Sequence, residues 1–165
     1  MRSSLARLDA VVGLGSNLGE RAEHLRDAVR QIAAVFDVVA RSAIYETAPV
    51  GPAQPDYLNA AVRLRSSETI EQLLAVLLGI EHRSGRVRSE ATRWGPRTID
   101  LDVLWADGVV VSTPTLTVPH PRLAERAFAL RPLHDVAPDA LDPRTGVRFP
   151  DSVDDPDVRR TSLVL

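Results

Sequence analysis

The stretch Tyr57-Leu58-Asn59-Ala60-Ala61-Val62-Arg63-Leu64-Arg65 alternates in character along its length. Successive side chains of an extended chain point to opposite faces. Ala60, Val62 and Leu64 therefore share one face, while Tyr57, Asn59, Ala61, Arg63 and Arg65 share the other. What precedes this strand decides the architecture. Phe36 to Glu46 is rich in β-branched residues and reads as another strand, and Thr47-Ala48-Pro49-Val50-Gly51-Pro52 enforces a loop between the two. Two strands follow one another with no helix between them, which argues against a parallel doubly wound sheet.

Upstream, Leu8 to Leu14 is a short apolar run that reads as a buried strand, and Gly13-Leu14-Gly15-Ser16-Asn17 reads as a structural turn out of it, expected close to the functional site but not as a phosphate cradle. Leu18, Ala22, Leu25, Val29 and Ile32 then step along one helical face. Asn17 with Glu20 resembles a capping box, with Gly19 as the alternative cap. Downstream, Ile70, Leu73, Leu74 and Leu77 mark a second helix that starts near Ser66 or Ser67 and stops at Gly85. Thr98 to Trp105 reads as a strand, and Asp107-Gly108 as a hairpin turn into Val109-Val110-Val111. Short helical patterns span Pro121 to Val136. The proline- and aspartate-rich tail after about residue 141 is expected to be loosely packed. The order β-α-β-β-α-β with a later hairpin predicts an α+β fold: a ferredoxin-like, mostly antiparallel sheet flanked by helices, with residues 1–165 as a single domain.

Composition narrows the function. With 165 residues, 44% apolar and 25% charged, the chain can bury a core and is not of disordered type. A net charge of -2 gives no reason to expect nucleic acid as a partner. The absence of cysteine excludes disulfides, thiolate metal sites and cysteine nucleophiles. No apolar run approaches the ~20 residues of a membrane span, and no signal-peptide core opens the chain, so a cytoplasmic protein without a membrane partner is expected. All 20 basic residues are arginine, whose forked donors suit phosphate oxygens.

The chemistry-bearing residues cluster around Asp100 and Asp102. Two apart on a strand, they present both carboxylates on one face with Cα atoms roughly 6 to 7 Å apart. Such a pair can hold Mg²⁺, which takes oxygen ligands and completes its shell with water and phosphate. A solvated edge strand would explain a bare D-x-D equally well. The context favours the metal: Arg86, Arg88, Arg93 and Arg97 lie just upstream in a loop too polar for a core, and metal plus guanidinium suits a polyphosphate. Trp94 in that loop reads as a core anchor or as part of a lid over a flat ligand. Residues 83 to 98 combine glycine, charge and few apolar anchors, so a loop that closes on Mg-ATP is expected. Arg83 reads as a surface ion pair. Glu81, His120 and Arg126 are polar groups with no role fixed by spacing.

Arg93-Trp94-Gly95-Pro96-Arg97-Thr98-Ile99-Asp100-Leu101-Asp102 resembles the signature of the 6-hydroxymethyl-7,8-dihydropterin pyrophosphokinase family. Gly15-Ser16-Asn17-Leu18, Pro55 to Val62, Gly85-Arg86-Val87-Arg88 and Leu116-Thr117-Val118-Pro119-His120 resemble family segments in the same order. The resemblance covers roughly residues 8 to 140. It implies transfer of the β,γ-pyrophosphoryl unit of ATP to the hydroxymethyl group of the pterin in folate biosynthesis, releasing AMP. It implies two Mg²⁺ ions on Asp100 and Asp102, with Arg86 and Arg97 as catalytic arginines. Glu81, Arg88, Trp94, Val103, Thr117, His120 and Arg126 match positions around ATP. Thr47, Ala48, Val50, Tyr57, Asn59, Trp94 and Phe128 match the pterin pocket. Leu78, Thr115 and Ala48 depart from well-known members. A monomer acting on these two small molecules is expected. The rival readings are another two-metal phosphohydrolase or kinase, and a non-catalytic ferredoxin-like binding module.

Overall fold

A computed structural model describes residues 7–49, 51–85, 98–151 and 155–165. The main sheet runs through β1 (Leu8–Ser16), β2 (Asp37–Arg41), β3 (Tyr45–Thr47), β4 (Tyr57–Ser66), β5 (Asp100–Ala106) and β8 (Val158–Arg160). Its order is β5-β1-β4-β3-β8, with β2 on the same edge of β4 as β3 further along the strand. Every pairing is antiparallel. Helices α1 (Arg21–Ala33) and α2 (Ile70–Arg83) cross over as the β-α-β-β-α-β order requires, and α3 (Ala127–Val136) follows β6 (Val111–Ser112) and β7 (Thr117–Val118). This is the mostly antiparallel α+β sheet with flanking helices that the strand order predicts.

The period-2 alternation of β4 separates two cores. Leu58, Ala60, Val62 and Leu64 face one side, where they pack with Leu25, Val29 and Ile32 of α1 and Leu73, Leu77 and Ile80 of α2. Each such side chain, fully buried, contributes about 1.5–3 kcal/mol. Ala61 faces the other side with Val11, Leu104 and Trp105, against Leu130, Leu133 and Val136 of α3. Arg63 shares that second face yet is half-buried. Its Nε and Nη2 each donate to Asp9 at 2.9 Å, and its guanidinium lies 5.7 Å from the centre of the Trp105 ring. The bidentate pair keeps the Arg63 pKa above its ordinary value despite the burial.

Local signals resolve differently from expectation in several places. Gly13 to Ser16 belongs to β1 and is not a turn. Asn17 does not cap α1; its amide donates to Gln54 Oε1 and to the Pro55 carbonyl, and Gly19 (φ +67°) makes the bend ahead of the helix. Leu18 precedes α1 and is largely exposed. The second helix begins later than Ser66 or Ser67: Thr69 caps it in a reciprocal capping box with Gln72. It stops at Gly85 (φ +82°), as read. Asp107-Gly108 does form a turn, but the chain leaving it pairs with β7 in a separate two-stranded sheet and not with β5. The strand read over Phe36 to Glu46 is broken at Ser42–Ile44, where Ser42 Oγ accepts the Ala61 N–H that a continuous strand would have paired.

The tail is also more firmly held than its composition suggests. Phe149 is buried against the α3-side core, the Trp105 indole donates to the Leu141 carbonyl at 2.8 Å, and β8 pairs with β3. These contacts are long-range, and proline and aspartate content carries no trace of them.

Candidate active site

The face of the sheet shared with α3 carries a cavity of about 380 Å³. Its floor is β1. Gly13 and Gly15 lie on the cavity face, opposite Asp102 and Asp100 respectively, and neither has a side chain to fill the space. A Cβ on Gly15 would come within 3.2 Å of Asn59 Oδ1 and 3.5 Å of the Tyr57 ring, and one on Gly13 would press on Leu104 at 3.1 Å. The two glycines are thus the floor of the site, a role that a reading of the stretch as a turn does not anticipate.

One wall is β5. Asp100 and Asp102 line the cavity, Asp100 half-buried and Asp102 exposed, while Ile99, Leu101 and Val103 are buried in the helix-side core. The alternation therefore holds as read. It also turns the Val103 side chain away from the cavity, so its expected place beside ATP is not served by that side chain. Glu81 of α2 is 2% exposed and lies behind the same strand, where its Oε2 accepts the Leu101 N–H at 3.2 Å. Among the described residues no third acid, histidine or cysteine joins Asp100 and Asp102 in a metal-holding group. Two carboxylates beside open space suit a Mg²⁺ ion that draws its remaining oxygens from water and a phosphate chain, and not an all-protein cage.

The opposite end is built by β3, β4 and α3. Asn59, 8% exposed, donates from Nδ2 to Thr47 Oγ1 at 2.7 Å, which fixes the amide and turns Oδ1 toward Gly15. Thr47, Ala48, Tyr57 and Asn59 line the cavity with Phe128 of α3. The Arg126 guanidinium lies 5.5 Å from the centre of the Phe128 ring.

Electrostatics tie the two ends together. Burial and the neighbouring Arg122 push the Arg126 pKa down, and Asp102, Asp100 and Glu125 oppose that shift. His120 is likewise lowered by burial first, then by Arg126 and Arg122, with Asp100 opposing. Its backbone N–H donates to the Leu104 carbonyl, and its Nδ1 accepts from the Arg122 N–H at 3.3 Å. These residues, far apart in sequence, share one field around the acid pair.

Of the residues singled out from sequence, the fold brings Asp100, Asp102, Arg126, Thr47, Ala48, Tyr57, Asn59 and Phe128 onto the cavity. His120 stands beside it, and Thr117 is exposed in β7 and does not line it. Arg86, Arg88, Trp94, Arg97 and Val50 lie outside the described residues, as does most of the expected closing loop. Arg83 donates to Gln31 and, among the described residues, to no surface acid. Sequence reasoning missed Leu104, Arg122, Glu125 and Asp155, which line the cavity, and placed the Gly13 to Asn17 stretch close to the site only as a turn, whereas Gly13 and Gly15 are part of its strand floor. For the glycines and Leu104 the signal was available: they share the β1 and β5 alternation with Asp100 and Asp102.

A glycine-floored sheet face with an acid pair at one end and an aromatic-lined recess at the other defines an α+β enzyme domain suited to a charged and a flat ligand together. The chain belongs to the 7,8-dihydro-6-hydroxymethylpterin-pyrophosphokinase family, whose model matches residues 11–138. It is 50% identical over 135 residues to the 2-amino-4-hydroxy-6-hydroxymethyldihydropteridine pyrophosphokinase of Methylorubrum extorquens, covering 80% of this chain and 84% of that one. The protein of the same name from Synechocystis is 44% identical over 139 residues, covering 83% and 70%. Among solved structures, Plasmodium falciparum HPPK-DHPS with pteroate superposes with a TM-score of 0.64 at 13% identity, over 90% of this chain and 44% of that one. That likeness concerns the fold, and this chain spans less than half of that longer protein.

Proposed function

We propose that Asp100 and Asp102 hold Mg²⁺ on the phosphates of ATP, two ions in all, while Tyr57, Asn59 and Phe128 hold the acceptor. The chain is a pyrophosphokinase of folate biosynthesis: it transfers a pyrophosphoryl group to the hydroxymethyl group of 6-hydroxymethyl-7,8-dihydropterin. The observation that supports the residue assignment is the acid pair on β5 facing the same cavity as the aromatic recess. Bound Mg²⁺ would neutralise phosphate charge and orient the chain of phosphates for attack.

The protein's own groups do the rest by position. Tyr57 and Phe128 offer ring faces to a flat heterocycle, and the Asn59 amide meets its edge. The acceptor's hydroxymethyl oxygen bonds to the β-phosphorus and releases its proton to solvent, the bond from that phosphorus to the α,β-bridging oxygen breaks, and AMP leaves with the electron pair. Arg126 and Arg122 border the cavity beside Asp100 and Asp102, and their guanidinium groups would offset charge on the leaving side. Arg86 and Arg97 are assigned the same task on the strength of their motif positions. A monomer in the cytoplasm suffices, since one chain supplies both ends of the cavity.

Product analysis tests the reaction, and substitution tests the site. AMP formed only in the presence of the pterin is expected; ADP, or ATP hydrolysis without pterin, overturns the reading. Asp102→Ala is expected to lower kcat by about 10²- to 10³-fold, the scale of removing a group that stabilises transition-state charge. Because Asp102 is exposed, its loss should leave thermal unfolding nearly unchanged. An Asp102→Ala enzyme with wild-type kcat would remove the metal site from β5.

A further inference from the structure

Asp155 lies beyond the family-matched region, which ends at residue 138, yet it lines the same cavity as Thr47, Asn59 and Phe128. We propose that the carboxylate of Asp155 is a specificity-determining contact for the acceptor, receiving hydrogen bonds from the donor edge of the heterocycle. This rests on the pterin reading of the cavity and deepens it.

The tail is built to deliver that carboxylate. Strand β8 pairs with β3 so that Val158 lies opposite Thr47, and the Val158 N–H closes a turn on the Asp155 carbonyl. Val158 is buried with Tyr45 and Ala127, with Phe128 packed against the group. From α3, Arg131 donates to the Val158 carbonyl at 3.1 Å. Arg159 bridges Glu46 of β3 and Asp56 just ahead of β4, and the Thr161 N–H and hydroxyl both donate to the Ile44 carbonyl. Asp155 is therefore presented by the turn that leads into β8, next to β3 on the acceptor side. In the sheet order β3 stands three strands from β5, roughly 14 Å at ordinary strand spacing, so β8 and its lead-in turn flank the acceptor end of the sheet.

The chemistry of that corner is one of acceptors. Asn59 uses its NH₂ on Thr47 and turns Oδ1 inward, and Asp155 adds a carboxylate. An edge with two acceptors selects a ligand edge with adjacent donors, such as an amino group beside a ring N–H, as a 2-amino-4-oxo-pyrimidine ring presents. A 2-oxo analogue would turn a carbonyl toward the carboxylate and be rejected.

Asp155→Asn separates this role from a structural one. Asp155 Oδ1 accepts the Asp157 N–H at 2.9 Å, and the asparagine oxygen can keep that bond, so the turn survives while the charge is lost. The wild-type enzyme, Asp155→Asn and Asp155→Ala are compared with 6-hydroxymethyl-7,8-dihydropterin and with its 2-oxo analogue, measuring AMP, together with unfolding midpoints. The expected result is a rise in pterin KM of about tenfold or more in both variants. The KM for ATP should stay within about twofold of wild type, and Asp155→Asn should lose most of the discrimination against the 2-oxo analogue. Wild-type KM and discrimination in Asp155→Asn overturn the proposal, including the case where only Asp155→Ala is impaired, which would make the residue a turn cap. If the wild-type enzyme makes no AMP with pterin, it is the pterin reading of the cavity that fails.

Discussion

His120 shows how a single side chain can register the charge of the whole cavity. Burial, Arg126 and Arg122 favour its neutral form, and the Arg122 N–H needs the Nδ1 lone pair. A base whose folded pKa is lowered takes its proton later than the unfolded chain does. Folding therefore gains from the neutral ring above the unfolded pKa of about 6.5 and loses that gain as pH falls toward the lower folded value. Urea unfolding across a pH series should show wild-type stability declining below about pH 6.5 more steeply than that of His120→Asn. Equal slopes would mean that burial and the two arginines together do not hold the ring neutral. The same logic in the opposite direction applies to Tyr45. Burial and the hydrogen bond to Asp135 push its phenol up to about 12, so its contribution is lost only in strong alkali.

At the scale of elements, β1 is where sequence and site meet most tightly. Gly13 and Gly15 are needed in a central strand because Leu104 over the first, and Asn59 and Tyr57 over the second, come too close for a side chain. Gly15→Ala places a methyl 3.2 Å from Asn59 Oδ1, tight enough that the amide must shift. Steady-state kinetics should then show pterin KM raised by about tenfold, with the KM for ATP little changed. An unaltered pterin KM would show that the amide has slack. Elements of this kind were legible where a period governs them. The alternation of β4 and β5 gave Ala60, Val62 and Leu64 one face and Leu101 a core face, and paired Asp100 with Asp102 and Tyr57 with Asn59 on the other faces of their strands; that the two pairs share one cavity is seen only in the fold. Partners that no period encodes were not legible. The Asp107-Gly108 turn gave no hint that Val111 would pair with Val118, and Asn17, which looked like a cap, is drawn away by Gln54 across 37 residues of sequence. The participation of Asp155 depends on β8 finding β3, a pairing across more than a hundred residues with three-residue strands and no hydrophobic pattern.

For the molecule as a whole, the sheet is a shared wall between a helix-packed core and a face divided between α3 and the cavity. The chain beyond α3 seals the second side. Phe149 is 3% exposed there, beside Trp105, and Arg148 donates to the Pro138 carbonyl at 2.6 Å. Phe149→Ala should destabilise the domain by about 3–5 kcal/mol, the cost of emptying a buried aromatic site, as measured by urea unfolding. A loss under about 1 kcal/mol would mean that the tail merely covers the core without packing into it.

The clasp between the Trp105 indole and the Leu141 carbonyl also makes the protein its own optical instrument. The chain has two tryptophans, Trp94 and Trp105. With Trp94 replaced by phenylalanine, every photon of indole emission comes from a ring held between the Arg63 guanidinium and the tail. Its colour then reports whether the tail from Leu141 onward is docked: blue-shifted while the ring is shielded, red-shifted when water reaches it. Tail release could thus be followed in real time without attaching a dye.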